Sequence, residues 1–262
     1  MSETSERPPE TATMTAPAVV VQEATQAAEP KSSTPRGAPK WETEARERVR
    51  AAVRKHSKPL ADLLARDANE GDTRLLVTDF LCDGLGYDKY EDLTTEYNVK
   101  GDFADYGVRI DRQLTAFIEV KRVATKLNGK HLRQVEMYAV NEGVRWLILT
   151  NGSSWQVFHV TGGLPIVIDL AFEVDLLGDE TPAAKANKLF YISRESLKRR
   201  QLDELWKAKA ATSPKSIGTA LQSPVVLDAL RRELRKATGM NIDTKEIAKH
   251  LRDEVLRPEC LS

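Results

Sequence analysis

Cysteine is scarce in this chain of 262 residues, where Cys82 and Cys260 are the only two. Such a pair builds neither a disulfide framework nor a cysteine-ligated zinc site. Cys82 lies in an apolar helical stretch and reads as core. The four histidines (His56, His131, His159 and His250) are scattered, without metal-ligand spacing. Net charge is absent too, because 39 basic residues balance 39 acidic ones. This excludes the overall basic coat of many architectural DNA binders and confines any nucleic-acid surface to a local patch. No apolar run approaches the length of a bilayer span, and the three valines at 19–21 are too few for a secretory signal core. No G-x-x-x-x-G-K-[ST] pattern occurs, so no nucleotide cofactor is expected in this chain. No internal repeat is evident. A reducing cytoplasm fits these absences, and no membrane contact is expected.

What is present divides into three parts. Residues 1–40 are rich in Pro, Thr, Ser, Ala and Glu and hold few large apolar groups, so they are expected to be disordered. Residues 41–180 form the main domain, opened by a charged amphipathic helix over 41–58 with Trp41, Ala45, Val49 and Val53 as its buried stripe. A second helix over about 70–85 turns Leu75, Leu76, Phe80 and Leu81 inward, with Gly86 as its terminator. Strands are expected near 101–111, 115–122, 145–150, 154–160 and 165–170, and a helix over 130–143. A tight connection at Arg112–Gln113–Leu114 makes the first two strands a hairpin, and Asn151–Gly152 is a hairpin turn signal. Trp146 and Trp155 read as core or hairpin packing rather than base-stacking platforms. Residues 181–262 read as a helical region with helices over 195–210, 223–239 and 243–256. Ser223 and Asp243 are caps, Pro224 stands at a first helical position and Gly239 is a stop. Helices and strands in this order give an α/β fold, a mixed sheet flanked by helices with a helical C-terminal extension.

The most informative stretches are GDFADYGVRID (101–111) and TAFIEVKR (115–122). Side chains alternate along a strand, so Glu119 and Lys121 share one face with Phe117, while Ile118 and Val120 take the other. The hairpin brings Asp105 across to the Glu119–Lys121 end. Two carboxylates on adjacent strands offer a rigid oxygen half-shell for Mg²⁺ or Mn²⁺. A metal so held activates water and stabilises charge on a phosphate, with Lys121 orienting the water or offsetting negative charge. The competing reading is an exposed charged sheet face. The apolar FIEV run argues against it, since charge ending a buried strand is costly unless it is paired or binds metal.

Downstream, Gln134 and Tyr138 stand four apart on one helix face. They are placed to touch a phosphate or support the site, or else Tyr138 packs beneath the helix with its hydroxyl satisfied locally. Lys121, Arg122, Lys126, Lys130, His131 and Arg133 make a basic run with no acid between Glu119 and Glu136. Beside an acid cluster, that run suits DNA through phosphate neutralisation; the plainer reading is a solvated face, which is preferred for Lys198, Arg199 and Arg200.

These elements resemble the PD-(D/E)XK nuclease superfamily and, within it, the N-terminal nuclease domain of type I restriction enzyme R subunits. The resemblance runs over residues 69–160, through NEGDTRLLVTDFLCDGLGYD, TEYNVKGDFADYGV, FIEVKR, LRQVEMYA and WLILTNGSSWQVF. It implies a restriction-endonuclease-like fold and assigns the metal to Asp105 and Glu119, with Glu70 as a supporting acid. Lys121 belongs to the catalytic motif, and Gln134 and Tyr138 fall on a Q-x-x-x-Y motif. The expected activity is metal-dependent DNA endonuclease chemistry in restriction or phage defence. The alternative is a catalytically inactive nuclease-fold protein that binds nucleic acid or acts as a scaffold. The C-terminal helices would offer a homodimer surface or bind a separate protein.

Overall fold

The computed structural model describes residues 38–99, 102–161 and 166–261, the side chains of Val99, Asp102, Gln134, Val135, Tyr138 and Glu259 excepted. The tail expected to be disordered lies almost wholly outside the described residues.

A single six-stranded sheet forms the centre, with strands side by side in chain order. They are β1 (Leu93–Val99), β2 (Asp102–Ile110), β3 (Gln113–Val120), β4 (Trp146–Thr150), β5 (Ser154–Thr161) and β6 (Val167–Asp175). All neighbours are antiparallel except β3 and β4, which run parallel. A parallel pair needs a long crossover, and helix α3 (Gly129–Glu142) lies within it. The sheet is therefore mixed and flanked by helices, as the element order predicts.

Both sheet faces are covered. One carries Tyr106, Val108, Ile110, Ile118, Val120 and Ile148 into the main core beneath helices α1 (Lys40–Ala65) and α2 (Glu70–Asp79). The other forms a smaller cluster with Ala104, Phe117, Ala139, Leu147 and Val160 beneath α3. This two-sided burial explains why FIEV and WLILT read as near-continuous apolar runs. Trp155 is buried with its Nε1 donating to the Gly152 carbonyl at 2.9 Å, and Trp146 donates to Asp203 at 2.8 Å. Both are packing residues, as expected.

Several sequence expectations are corrected. The first helix does not stop near 58 but runs to Ala65 through Pro59. An internal proline costs about 3 kcal/mol, yet Leu60 and Leu63 continue the buried stripe beyond it. Burying each contributes about 1.5–3 kcal/mol, enough to carry the helix past the break. Leu75 is not inward but 67 % exposed. The buried face runs through Thr73, Val77, Phe80 and Leu81, which leaves Leu75 on the opposite side. Strand β1 is an addition, as the Thr- and Tyr-containing segment 93–99 was not read as one. The β2–β3 turn is Asp111–Arg112, both at positive φ (49° and 67°), so β3 already starts at Gln113. Strand β6 reaches Asp175 rather than ending at 170.

After the sheet come α4 (Pro182–Leu189), α5 (Arg194–Lys198), α6 (Gln201–Ala211), α7 (Pro214–Leu221), α8 (Pro224–Thr238) and α9 (Thr244–His250). The helix expected over 195–210 is two helices, split where Arg200 takes a left-handed φ of 56°. Leu189, Ile192, Leu197 and Leu202 belong to the main core, so the core continues well past residue 180. Ser223, Pro224, Gly239 and Asp243 occupy the cap and terminator positions read from the sequence.

The α1 contact with the end of α2 rests on a glycine. A turn of π type (Phe80–Gly84) follows α2, and a Cβ at Gly84 would meet the Ala52 Cβ at 2.7 Å. Gly84→Ala is therefore expected to destabilise the protein by about 1–3 kcal/mol through overpacking. Ala52→Gly in the same chain should recover part of the loss. Urea midpoints of the two single variants and the double variant check this.

Candidate active site

The strand register builds the site. Pairing of Tyr106 with Ile118 is the last described step of the β2–β3 ladder; continued by one residue, it sets Asp105 opposite Glu119. On the other side, Thr95 pairs with Tyr106 and Tyr97 with Ala104, so Glu96 stands opposite Asp105. Glu96, Asp105 and Glu119 thus lie in one row across three strands. The sequence places Asp105 and Glu119 together, and the structure brings them together. Asp105 Oδ2 accepts the Val120 N–H at 2.7 Å, which locks the two strand ends. Lys121 Nζ donates to Glu119 Oε1 at 2.6 Å, as the shared strand face requires.

Helix α2 supplies the roof. Asn69 caps it, accepting the Asp72 N–H at 2.8 Å. The fully buried Thr73 hydroxyl donates to the Asn69 carbonyl at 2.9 Å and accepts the Val123 N–H at 3.0 Å. That contact ties the segment after Lys121 to the helix. Arg74 pairs directly with Asp105 Oδ1 and lies 3.8 Å from both Glu70 and Glu96. Glu70 thus reaches the site's charge network through Arg74. From the other side, Asn151 Nδ2 donates to the Val123 and Thr125 carbonyls at 3.1 and 2.9 Å, and the Lys121 N–H bonds the Thr150 carbonyl at 2.7 Å.

The two central acids are unusually placed for charged groups. Glu119 is 3 % exposed and Asp105 9 %. Burial pushes the Glu119 carboxyl above its ordinary pKa; the Lys121 hydrogen bond pulls it down without compensating, and the Asp105 charge pushes it further up. Asp105 is raised for the same leading reason, against the Val120 N–H and the Arg74 charge. Burial works against the Lys121 ammonium, but the hydrogen bond and charge of Glu119 overcome it, and its pKa stands above the usual value. Lys121 is accordingly a held positive charge and a hydrogen-bond donor. Among the described residues, neither the buried Glu119 Oε2 nor the buried Arg74 Nε has a hydrogen-bond partner.

Three further residues were not singled out from the sequence. Arg74 carries no motif of its own within NEGDTRLLVTDFLCDGLGYD. Thr73, beside it, anchors the strand end. Glu96 was missed because β1 was missed; it sits in the strand at φ 48°, a left-handed conformation costing a non-glycine residue about 1 kcal/mol or more.

Gln134 and Tyr138 lie in α3, four residues apart, but their side chains are outside the described residues. In the basic run, Arg122 pairs with Asp67. Lys126, Lys130 and Arg133 are exposed. His131 takes part in the α3 capping box, its Nδ1 accepting the Asn128 N–H at 3.3 Å. A cavity of about 440 Å³ lies at the other end of the β2–β3 hairpin, lined by Asp111, Arg145, Trp146, Lys198, Arg200 and Asp203 among others. Two of its acids are taken internally, Asp111 by Lys198 at 2.8 Å and Asp203 by Trp146. The acid row, with its unpartnered oxygen, is the better chemical site.

Asp105 and Glu119 present hard oxygen donors, and one of those oxygens is buried and unused, so the donor set suits magnesium or manganese. Among the described residues, no group of three or more His, Cys, Asp and Glu side chains is arranged to hold a metal ion. No helix among the described residues is long and apolar enough to cross a membrane.

Residues 69–165 match the family described as the type I restriction enzyme R protein N terminus. The matched span holds α2, the whole acid row, Lys121 and α3. Neither the curated proteins nor the solved structures give a significant match.

The raised carboxyl of Glu119 carries a stability consequence. Its folded pKa is above the unfolded one, so the ionised side chain weakens the fold at neutral pH, and the cost disappears as pH falls into the ordinary carboxylate range. Glu119→Gln alone would strand the Lys121 ammonium that this carboxylate supports, so the pair is replaced together: Glu119→Gln with Lys121→Met is expected to melt higher than wild type at pH 7 without divalent metal, with the difference shrinking toward pH 4. A gain of about 1 kcal/mol would move the midpoint by roughly 2–4 °C in a protein of this size. Thermal scans in chelator across that pH range check it.

Proposed function

We propose that this protein is a metal-dependent endonuclease that hydrolyses DNA phosphodiesters in the cytoplasm, in restriction or phage defence. One observation carries the reading most directly. Two buried carboxylates on β2 and β3 and the lysine that follows β3 meet inside the segment similar to the N-terminal domain of restriction enzyme R proteins.

In this reading Asp105 and Glu119 hold Mg²⁺ or Mn²⁺, with Glu70 supporting from the first turn of α2. The bound cation supplies a water of lowered pKa and offsets charge on the phosphate. Lys121, whose proton is firmly held, donates a hydrogen bond to the attacking water or to a phosphate oxygen and offsets charge developing in the transition state. Gln134 and Tyr138 support the site or touch the strand. Arg122, Lys126, Lys130 and Arg133 neutralise flanking phosphates. Cutting both strands calls for two sites, and a second copy docking through the C-terminal helices would supply the other. Val225 and Met240 are exposed there, at 78 and 66 %.

A second reading is favoured by a specific observation. The described residues hold no three-ligand metal cluster, and both Asp105 oxygens already have protein partners. A nuclease-fold protein that binds nucleic acid without cutting it would show the same features.

Plasmid and single-stranded DNA cleavage with Mg²⁺ or Mn²⁺ separates the two. Lys121→Ala is expected to reduce the cleavage rate about 100-fold or more, the usual scale for losing one transition-state donor, with its fold intact by circular dichroism. Equal cleavage by variant and wild type would refute the assignment of Lys121, and no cleavage by either would favour the binding protein.

A further inference from the structure

Two cations already stand among these acids, Lys121 on Glu119 and Arg74 on Asp105, and Arg74 is the one shared with the rim. Its guanidinium holds Asp105 Oδ1 and stands 3.8 Å from Glu70 Oε1 and 3.8 Å from Glu96 Oε1. The other Asp105 oxygen accepts the Val120 N–H and Glu119 Oε1 accepts from Lys121, while Glu119 Oε2 has no partner among the described residues. A divalent cation bridging Asp105 and Glu119 must then share Asp105 with a fixed positive charge. Like charges within a few ångströms repel strongly where water is scarce.

Glu96 shows where that charge goes. It is the one strand residue at positive φ in β1, it faces Asp105 across the ladder, and it is 73 % exposed at its side chain. Glu70 stands one helical turn before Arg74, the spacing for an intrahelical ion pair. Two carboxylates at the rim therefore wait for the guanidinium when it leaves the central one.

We propose that Arg74 is a displaceable counter-ion: it neutralises Asp105 in the metal-free site, yields that oxygen when a divalent cation binds, and is retained by Glu70 and Glu96 at the rim, where it meets the phosphodiester. Arg74 is on this view a positioning residue whose occupancy sets metal affinity. The inference rests on the metal-dependent reading of the site and deepens it.

Calorimetric titration with Mn²⁺ and with Mg²⁺, without DNA, tests it on wild type, Arg74→Gln and Arg74→Lys. Arg74→Gln is expected to bind metal about tenfold more tightly, equivalent to about 1.4 kcal/mol. Arg74→Lys, a point charge without the planar fork, should fall between. Binding to a short duplex in Ca²⁺ should move the other way and weaken in Arg74→Gln, a divergence that simple misfolding does not produce. Should Arg74→Gln fail to fold, Arg74→Lys serves by itself, and equality with wild type overturns the inference. Unchanged or weaker metal binding by a folded Arg74→Gln also overturns it and leaves the nuclease reading standing. No metal binding by either wild type or variant overturns both.

Discussion

The structure turns on two carboxylates held almost out of water at the ends of central strands. An ionised carboxylate in such a place is expensive unless it is paired, and here the surroundings are organised around that cost. Val120 gives its backbone N–H to Asp105, Lys121 gives its ammonium to Glu119, and Arg74 reaches down from α2 to Asp105. These partners do not fully offset burial, since both acids remain easier to protonate than in water. Such residual electrostatic tension, with one buried oxygen unpartnered among the described residues, is the mark of a functional rather than a structural placement of charge. The left-handed Glu96 at its edge adds backbone strain to the same few ångströms, and strain of this kind gathers at functional sites.

The helix above the acids is as much a part of the arrangement as the strands. Thr73 and Arg74 are consecutive, so on a helix they point about 100° apart. Thr73 turns into the core to catch the Val123 N–H, and Arg74 turns toward the acid row. One short stretch of α2 thereby fixes the chain just after Lys121 and neutralises the strand before it. The Asn69 cap, which holds the first turn in place, and Asn151, which clasps the same 123–125 segment from the β4–β5 turn, complete a frame of neutral hydrogen bonds around the charged centre.

Much of this was legible in the sequence because it rests on short-range rules. The period of two along a strand puts Glu119 and Lys121 together, and a hairpin of nearly fixed length puts Asp105 beside them. The sheet class, the Asn151–Gly152 turn, the packing roles of Trp146 and Trp155 and the caps at Ser223 and Asp243 follow from equally local signals. What was not legible depends on tertiary contact. Leu75 looks as apolar as Phe80, and only the orientation of α2 decides which one faces the core. Pro59 reads as a stop, and only the burial of Leu60 and Leu63 carries the helix past it. Glu96 and Arg74 are ordinary surface residues in a one-dimensional reading. They join the site because β1 pairs with β2 and α2 crosses above, which no spacing rule encodes.

Topology also accounts for the basic run. Strands β3 and β4 are parallel, so the chain must leave the C-terminal end of β3 and cross back over the sheet before β4 begins. That end is where Glu119 and Lys121 lie, so whatever residues open the crossover emerge beside the acids. In open sheets, ligands gather at the carboxyl ends of strands for this reason. The crossover here starts with Lys121 and Arg122 and continues to Lys126, Lys130 and Arg133 with no intervening acid. A chain with no net charge thus concentrates basic residues in the segment that leaves its buried acids, with Arg122 already paired to Asp67.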